Sequence, residues 1–188
     1  MDLRPAYLQR LKTLAELIGN VKVNQLADPT PCEGFDVRAL VNHVVGTISD
    51  FARALTDGTH ADPGAPQSDL IGDDPGGAIA RALDDAERAW SAPGVMERET
   101  VPIGRGIPPG FALRIGLIEA VVHGWDLARA THQPYEIPED VAQRMLEGMR
   151  AQMGDMPRPP GSWFGPEVSV PDDATSADKL IAFTGRTP

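Results

Sequence analysis

The stretch Ile115-Gly-Leu-Ile-Glu-Ala-Val-Val-His-Gly-Trp-Asp126 decides how this chain is read. Its apolar spacing is helical, and residues four and seven apart on a helix share a face. Glu119, His123 and Asp126 therefore line up. The neighbours Ile118, Val121 and Val122 argue against full exposure of that face. A buried carboxylate and imidazole are costly unless something pairs them, and a divalent metal is one such partner. A Glu and His at this spacing also occur as a plain surface pair. His43 lies in a second apolar helical pattern and offers a third ligand, or else a satisfied core histidine.

Working outward, the same periodicity predicts four long helices. Leu3, Tyr7, Leu8, Leu11, Leu14, Ala15 and Ile18 give a first helix over 3–19, stopped at Gly19-Asn20. Asp36 is a good N-cap for a second, carrying Val37, Leu40, Val41, Val44, Val45, Ile48, Phe51 and Leu55. A third runs over about 75–91, with Ile79, Leu83, Ala86 and Trp90 on one side. The fourth, about 109–131, contains the opening stretch. A weaker amphipathic helix follows from Glu139 to about Met153. The tail holds a possible strand over Glu167–Pro171 and a short helix from Ser176 to about Thr184. Residues 28–35 read as a turn-rich connector, 57–75 as a long loop, and 94–108 as ambiguous, with room for a short extended piece. The expected architecture is one all-α domain over 1–188: a four-helix bundle with a long connection between helices 2 and 3 and a short C-terminal elaboration.

Composition narrows the function. The 188 residues carry 27 acids against 17 bases, a net charge of −10, and no basic block. Nucleic-acid binding rests on neutralising phosphates with Lys and Arg, so DNA and RNA are not expected partners, nor is an anionic membrane surface. No segment reaches the roughly 20 apolar residues of a membrane span, and the N-terminus lacks signal-peptide features. A cytoplasmic setting is the expectation. The single cysteine, Cys32, allows no internal disulfide and no Cys-based zinc ribbon. Glycine (19) and proline (18) are plentiful but cluster between the periodic segments, at 58–77, 102–110 and 154–166.

Bundles often build metal sites from inward-facing residues of adjacent helices. Imidazole and carboxylate suit zinc, nickel or ferrous iron, and three protein ligands leave a position open for water or a thiol. Asp126 could orient a ligand histidine through its second nitrogen, or pair with Arg129 on the surface. Trp125 reads as core or pocket wall. Gly116 and Gly124 allow close approach of a helix or ligand. Cys32, near a helix N-terminus, reads as a small buried residue or as an activated thiol. His60 and His132 read as solvated, and Arg105, in Gly-Arg-Gly, as an exposed loop arginine or an anion contact.

Two motifs resemble a known family. Thr30-Pro-Cys-Glu-Gly-Phe-Asp-Val-Arg-Ala-Leu-Val-Asn-His-Val-Val-Gly46 is similar to the Thr-Pro-Cys-x-Gly-Trp-x-Val-x-x-Leu-x-x-His-x-x-Gly pattern of an actinobacterial metal-binding family. Glu119-Ala-Val-Val-His-Gly-Trp-Asp-Leu-Ala-Arg-Ala-Thr131 resembles its second motif. The ending, from Phe164-Gly-Pro-Glu-Val-Ser-Val through Ala177-Asp-Lys-Leu-Ile-Ala-Phe-Thr-Gly-Arg-Thr-Pro188, looks like that family's C-terminus. The family is related to the N-terminal domain of mycothiol-dependent maleylpyruvate isomerase, within the DinB-like superfamily. The resemblance implies a DinB-like bundle with a metal, usually zinc, held by His43, Glu119 and His123. It also implies a low-molecular-weight thiol such as mycothiol, and transferase or isomerase chemistry on a small molecule. Phe35 stands where the pattern has Trp. The isomerase's further thiol-holding domain has no counterpart in 132–188. A homodimer is compatible with apolar helix faces.

Overall fold

A computed structural model describes residues 2–62, 68–159 and 162–188. Within them the protein is all helical, with six α-helices and one 3-10 turn, and no strand. The loop expected at 57–75 and the Gly/Pro cluster at 154–166 each fall partly outside the described residues.

The chain divides into two compact units, Met1–Gln133 and Pro134–Pro188. The first holds α1 (Arg4–Gly19), α2 (Val37–Thr56), α3 (Pro75–Trp90) and α4 (Pro109–Thr131). Each start has a local cause. Pro5 sits in the first turn of α1, where a missing N–H costs nothing. The Asp36 carboxylate accepts from Ala39 N at 2.8 Å, and Asp74 accepts from Gly77 N at 2.8 Å, capping α2 and α3. Helix α4 ends on His132, in the left-handed region at φ 57°.

Within this unit α1 packs on α3 and α4, and α2 packs on α3 and α4. Tyr7, Leu11, Leu14 and Ile18 of α1, Leu40, Val41 and Phe51 of α2, Ile79 and Trp90 of α3, and Leu113 and Val121 of α4 are buried. Truncating one such side chain to Ala typically costs about 2–5 kcal/mol. The Tyr7 and Trp90 rings meet edge to face with centroids 5.9 Å apart. Tyr7 also lies on Gly116, where a Cβ would stand only 2.9 Å from its ring. That glycine is the space the tyrosine fills.

The connections differ from the sequence expectation in detail. Val23–Gln25 forms an unanticipated 3-10 turn. Residues 94–108 contribute isolated bridges, Val101 to Ile107 and Ala61 to Ile103, rather than a strand.

The second unit holds α5 (Glu139–Met153) and α6 (Ser176–Phe183), packed on each other. Arg158 lies over the Phe183 ring at 4.1 Å and donates to the carbonyls of Phe183 and Gly165. Gly185, at φ +86°, approaches Gly165 so closely that a Cβ would meet its Cα at 2.7 Å. The strand anticipated over 167–171 does not form. Its Val168 N donates to the Ala182 carbonyl at the C-terminal end of α6, and no second strand exists among the described residues. Alternation of Val168 and Val170 specifies an extended backbone but not a partner.

Candidate metal centre

Helices α2 and α4 bring His43 together with Glu119 and His123, 76 and 80 positions further along the chain. The His43 Nε2 atom lies 3.0 Å from Glu119 Oε2, and His123 Nε2 lies 3.2 Å from the same oxygen. The two imidazoles meet edge to face with centroids 5.2 Å apart. On the far side of its ring, His123 donates through Nδ1 to Asp126 Oδ2 at 3.0 Å. Asp126 is completely buried. The alternative of a surface pair with Arg129 does not occur, since Arg129 lies instead over the Trp125 ring at 5.3 Å.

The site is half open. The His123 side chain is 10% exposed, while Glu119 and His43 retain 28% and 25%. The shared carboxylate oxygen thus sits at the boundary between core and solvent. The connector before α2 forms one wall. Its turn is organised by Thr30, whose hydroxyl accepts from Cys32 N at 3.2 Å and donates to the Phe35 carbonyl at 2.8 Å. This places the Phe35 ring 5.6 Å from that of His43.

Electrostatics follow from the geometry. Burial favours a neutral Glu119, but hydrogen bonds from His123 and His43, and their charge, hold its carboxyl well below the usual range. Burial likewise favours neutral His123, yet hydrogen bonds to Asp126 and then Glu119 push its pKa up to about 9. In the metal-free protein a proton on His123 thus satisfies two carboxylates.

The donor set fits a divalent metal. One donor atom each from His43, Glu119 and His123 lies within 4.8 Å of the others. Tetrahedral coordination with bonds of about 2.1 Å needs donor separations of about 3.4 Å, close to the 3.0 and 3.2 Å measured. Asp126 fixes which nitrogen of His123 faces the other donors, as carboxylates behind metal-ligating histidines do. A second grouping, Cys32 with His123 and Asp126, also lies within 4.8 Å. The connector cysteine therefore adjoins the buried end of the site.

Other singled-out residues lie apart. His60 bonds the Gly104 carbonyl at 2.8 Å, and His132 and Arg105 are exposed. Two residues that sequence reasoning passed over adjoin the centre. Tyr7 and Thr47 line a small cavity that also reaches Glu119. Thr47 follows His43 by one helical turn, a signal the sequence contained.

Residues 8–128 match the family model of the mycothiol maleylpyruvate isomerase N-terminal domain. Two relatives from Mycobacterium tuberculosis are each 31% identical over 188 residues, covering 100% of this chain and 99% of theirs. They are "Uncharacterized protein MT0763" of strain CDC 1551 / Oshkosh and "Uncharacterized protein Rv0738" of strain H37Rv. No solved structure matches.

Proposed function

The chain belongs to the mycothiol maleylpyruvate isomerase N-terminal domain family, and from that premise we propose that it is a metal-dependent, thiol-using transferase or isomerase acting on a small molecule. His43, Glu119 and His123 are the proposed ligands of a divalent metal, zinc by preference, with nickel or iron compatible. Asp126 is the residue that orients His123. The observation that carries this reading is the convergence of two imidazole nitrogens on one carboxylate oxygen, at 3.0 and 3.2 Å. When bound, such a metal favours thiolate over thiol, or hydroxide over water, near neutral pH. The chain's own residues supply the rest. Asp126 holds the His123 tautomer, the exposed edge of Glu119 admits a ligand from solvent, and Phe35 shields the His43 side from water.

The proposed scaffold is a DinB-like four-helix bundle of α1–α4, with residues 57–74 as its long connection. The pairwise packing of α1 and α2 on both α3 and α4 supports it. The proposed partners are a small-molecule substrate and a low-molecular-weight thiol such as mycothiol, with no nucleic acid and no membrane. Among the described residues no helix is long and apolar enough to cross a membrane. A cytoplasmic location and a homodimer belong to the same proposal.

One observation favours a second reading. The protonated His123, held between Asp126 and Glu119, satisfies the buried charges without a metal. On that reading the bundle is a non-catalytic small-molecule-binding or structural module with a structural or absent metal. Metal analysis by mass spectrometry on untagged protein tests the ligand set, and unfolding on metal removal marks a structural metal. About one equivalent of metal, lost in His43→Ala and in His123→Ala, is the expected result. No metal in wild type after reconstitution leaves the second reading standing.

A further inference from the structure

Beside Glu119, away from the histidines, lies a cavity between α1, α2 and α4. Tyr7 and Leu11 line it from α1, Val44 and Thr47 from α2, Gly116 and Glu119 from α4. Its volume is about 10 Å³. That is about one water molecule's worth of space, and far too little for a substrate. Cavities of purely apolar lining stay dry; this one is mostly apolar, with Thr47 and Glu119 among the residues around it.

The decisive feature is Thr47. Its residue is 7% exposed, and its hydroxyl has no hydrogen-bond partner among the described residues. A helical threonine usually bonds the carbonyl one turn back. Thr13, Thr56 and Thr131 each do so, to Gln9, Ala52 and Leu127. Thr47 forgoes the equivalent bond to His43. A buried hydroxyl left unpaired costs about 1–3 kcal/mol, so it calls for a partner, and Thr47 is one of the residues lining this cavity. Glu119, across the cavity, spends Oε2 on both histidines. Its Oε1 is left for another donor.

We infer that a single ordered water occupies this cavity, accepts from the Thr47 hydroxyl and donates to the Glu119 carboxylate, making Thr47 a positioning residue for Glu119. The water holds the carboxylate in one orientation and presents only Oε2 to the histidine side. Glu119 is thereby set to act as a one-oxygen ligand. This last consequence rests on the metal reading above, whereas the water and the fixed carboxylate do not.

The test uses crystal structures of metal-free wild type, Thr47→Val and Thr47→Ser, with zinc affinities of all three. Val keeps the shape and removes the hydroxyl, and Ser keeps the hydroxyl. Expected are a water bridging residue 47 and Glu119 in wild type and Ser, no water in Val, and a Glu119 carboxylate that loses its single orientation in Val. Zinc binding should weaken roughly tenfold in Val, the lower end of the range for residues that support metal ligands, and stay unchanged in Ser. A dry wild-type cavity, a Thr47 hydroxyl turned onto the His43 carbonyl, or an undisturbed Glu119 in Val overturns the inference. If wild type takes up no zinc, the metal reading fails while the metal-free structures still decide for or against the water.

Discussion

Asp126 Oδ2 lies 3.0 Å from His123 Nδ1, with the aspartate side chain wholly buried and the histidine nearly so. The pairing fixes the ring that α4 turns toward Glu119. Asp126→Asn keeps the shape and removes the charge that favours Nδ1–H. Metal affinity is expected to fall about 10- to 100-fold, the usual effect of losing a carboxylate behind a ligand histidine. Competition with a chromogenic chelator measures it. Affinity equal to wild type would show that Asp126 serves only packing.

The metal-free protein has a defined pH response. The pKa of His123 is raised from 6.5 to about 9, so its contribution to stability is complete below pH 6.5 and is lost as pH rises through 9. The Glu119 pKa is lowered from 4.5, so its contribution is present above pH 4.5 and is lost as pH falls below that. Thermal melts of metal-free protein should therefore show a plateau at about pH 4.5–6.5 and a decline toward pH 9. Asp126→Asn should flatten the alkaline decline. Metal uptake at pH 7 should release a proton, readable by calorimetry in buffers of different ionisation enthalpy.

Gly116→Ala places a methyl 2.9 Å from the Tyr7 ring and 3.0 Å from its hydroxyl. Overpacking of this kind costs about 1–3 kcal/mol. Each kcal/mol lowers Tm by about 2–4 °C in a domain of this size. Differential scanning calorimetry checks it. Because Tyr7 also lines the cavity beside Glu119, weaker zinc binding should accompany the loss.

Thr30→Val removes the hydroxyl that ties Cys32 N to the Phe35 carbonyl. The expected stability loss is about 1 kcal/mol, the worth of a hydrogen bond in a turn. The Cys32 thiol should also react faster with a maleimide or disulfide reagent as the turn loosens. Unchanged thiol kinetics would assign that turn's rigidity to other contacts.

Much of the site was legible because helical spacing is local. Glu119, His123 and Asp126 share a face by arithmetic alone, and the apolar neighbours told that the face points inward. The helix limits were equally local, from the Asp36 cap to the Pro109 start. Tertiary placement was the harder part. That His43 meets Glu119 depends on α2 packing on α4, which periodicity does not encode and the family resemblance suggested. Nor does the sequence say that Cys32, in a connector, adjoins His123 and Asp126. Thr47 passed unnoticed because a threonine on an apolar face usually bonds its own helix. The strand expected over 167–171 failed for a related reason, since alternation describes one chain segment while a strand requires two.

The division of labour in the first unit also bears on how such proteins diversify. Proposed ligands come from the middles of two long helices, where substitution disturbs packing. The wall beside them, with Cys32 and Phe35, comes from a short connector whose shape depends on a few turn contacts. Loops accept sequence change far more readily than helix interiors. The connector can thus alter what approaches the centre while α2 and α4 keep the centre itself, so that relatives sharing one scaffold are free to differ in what they accept.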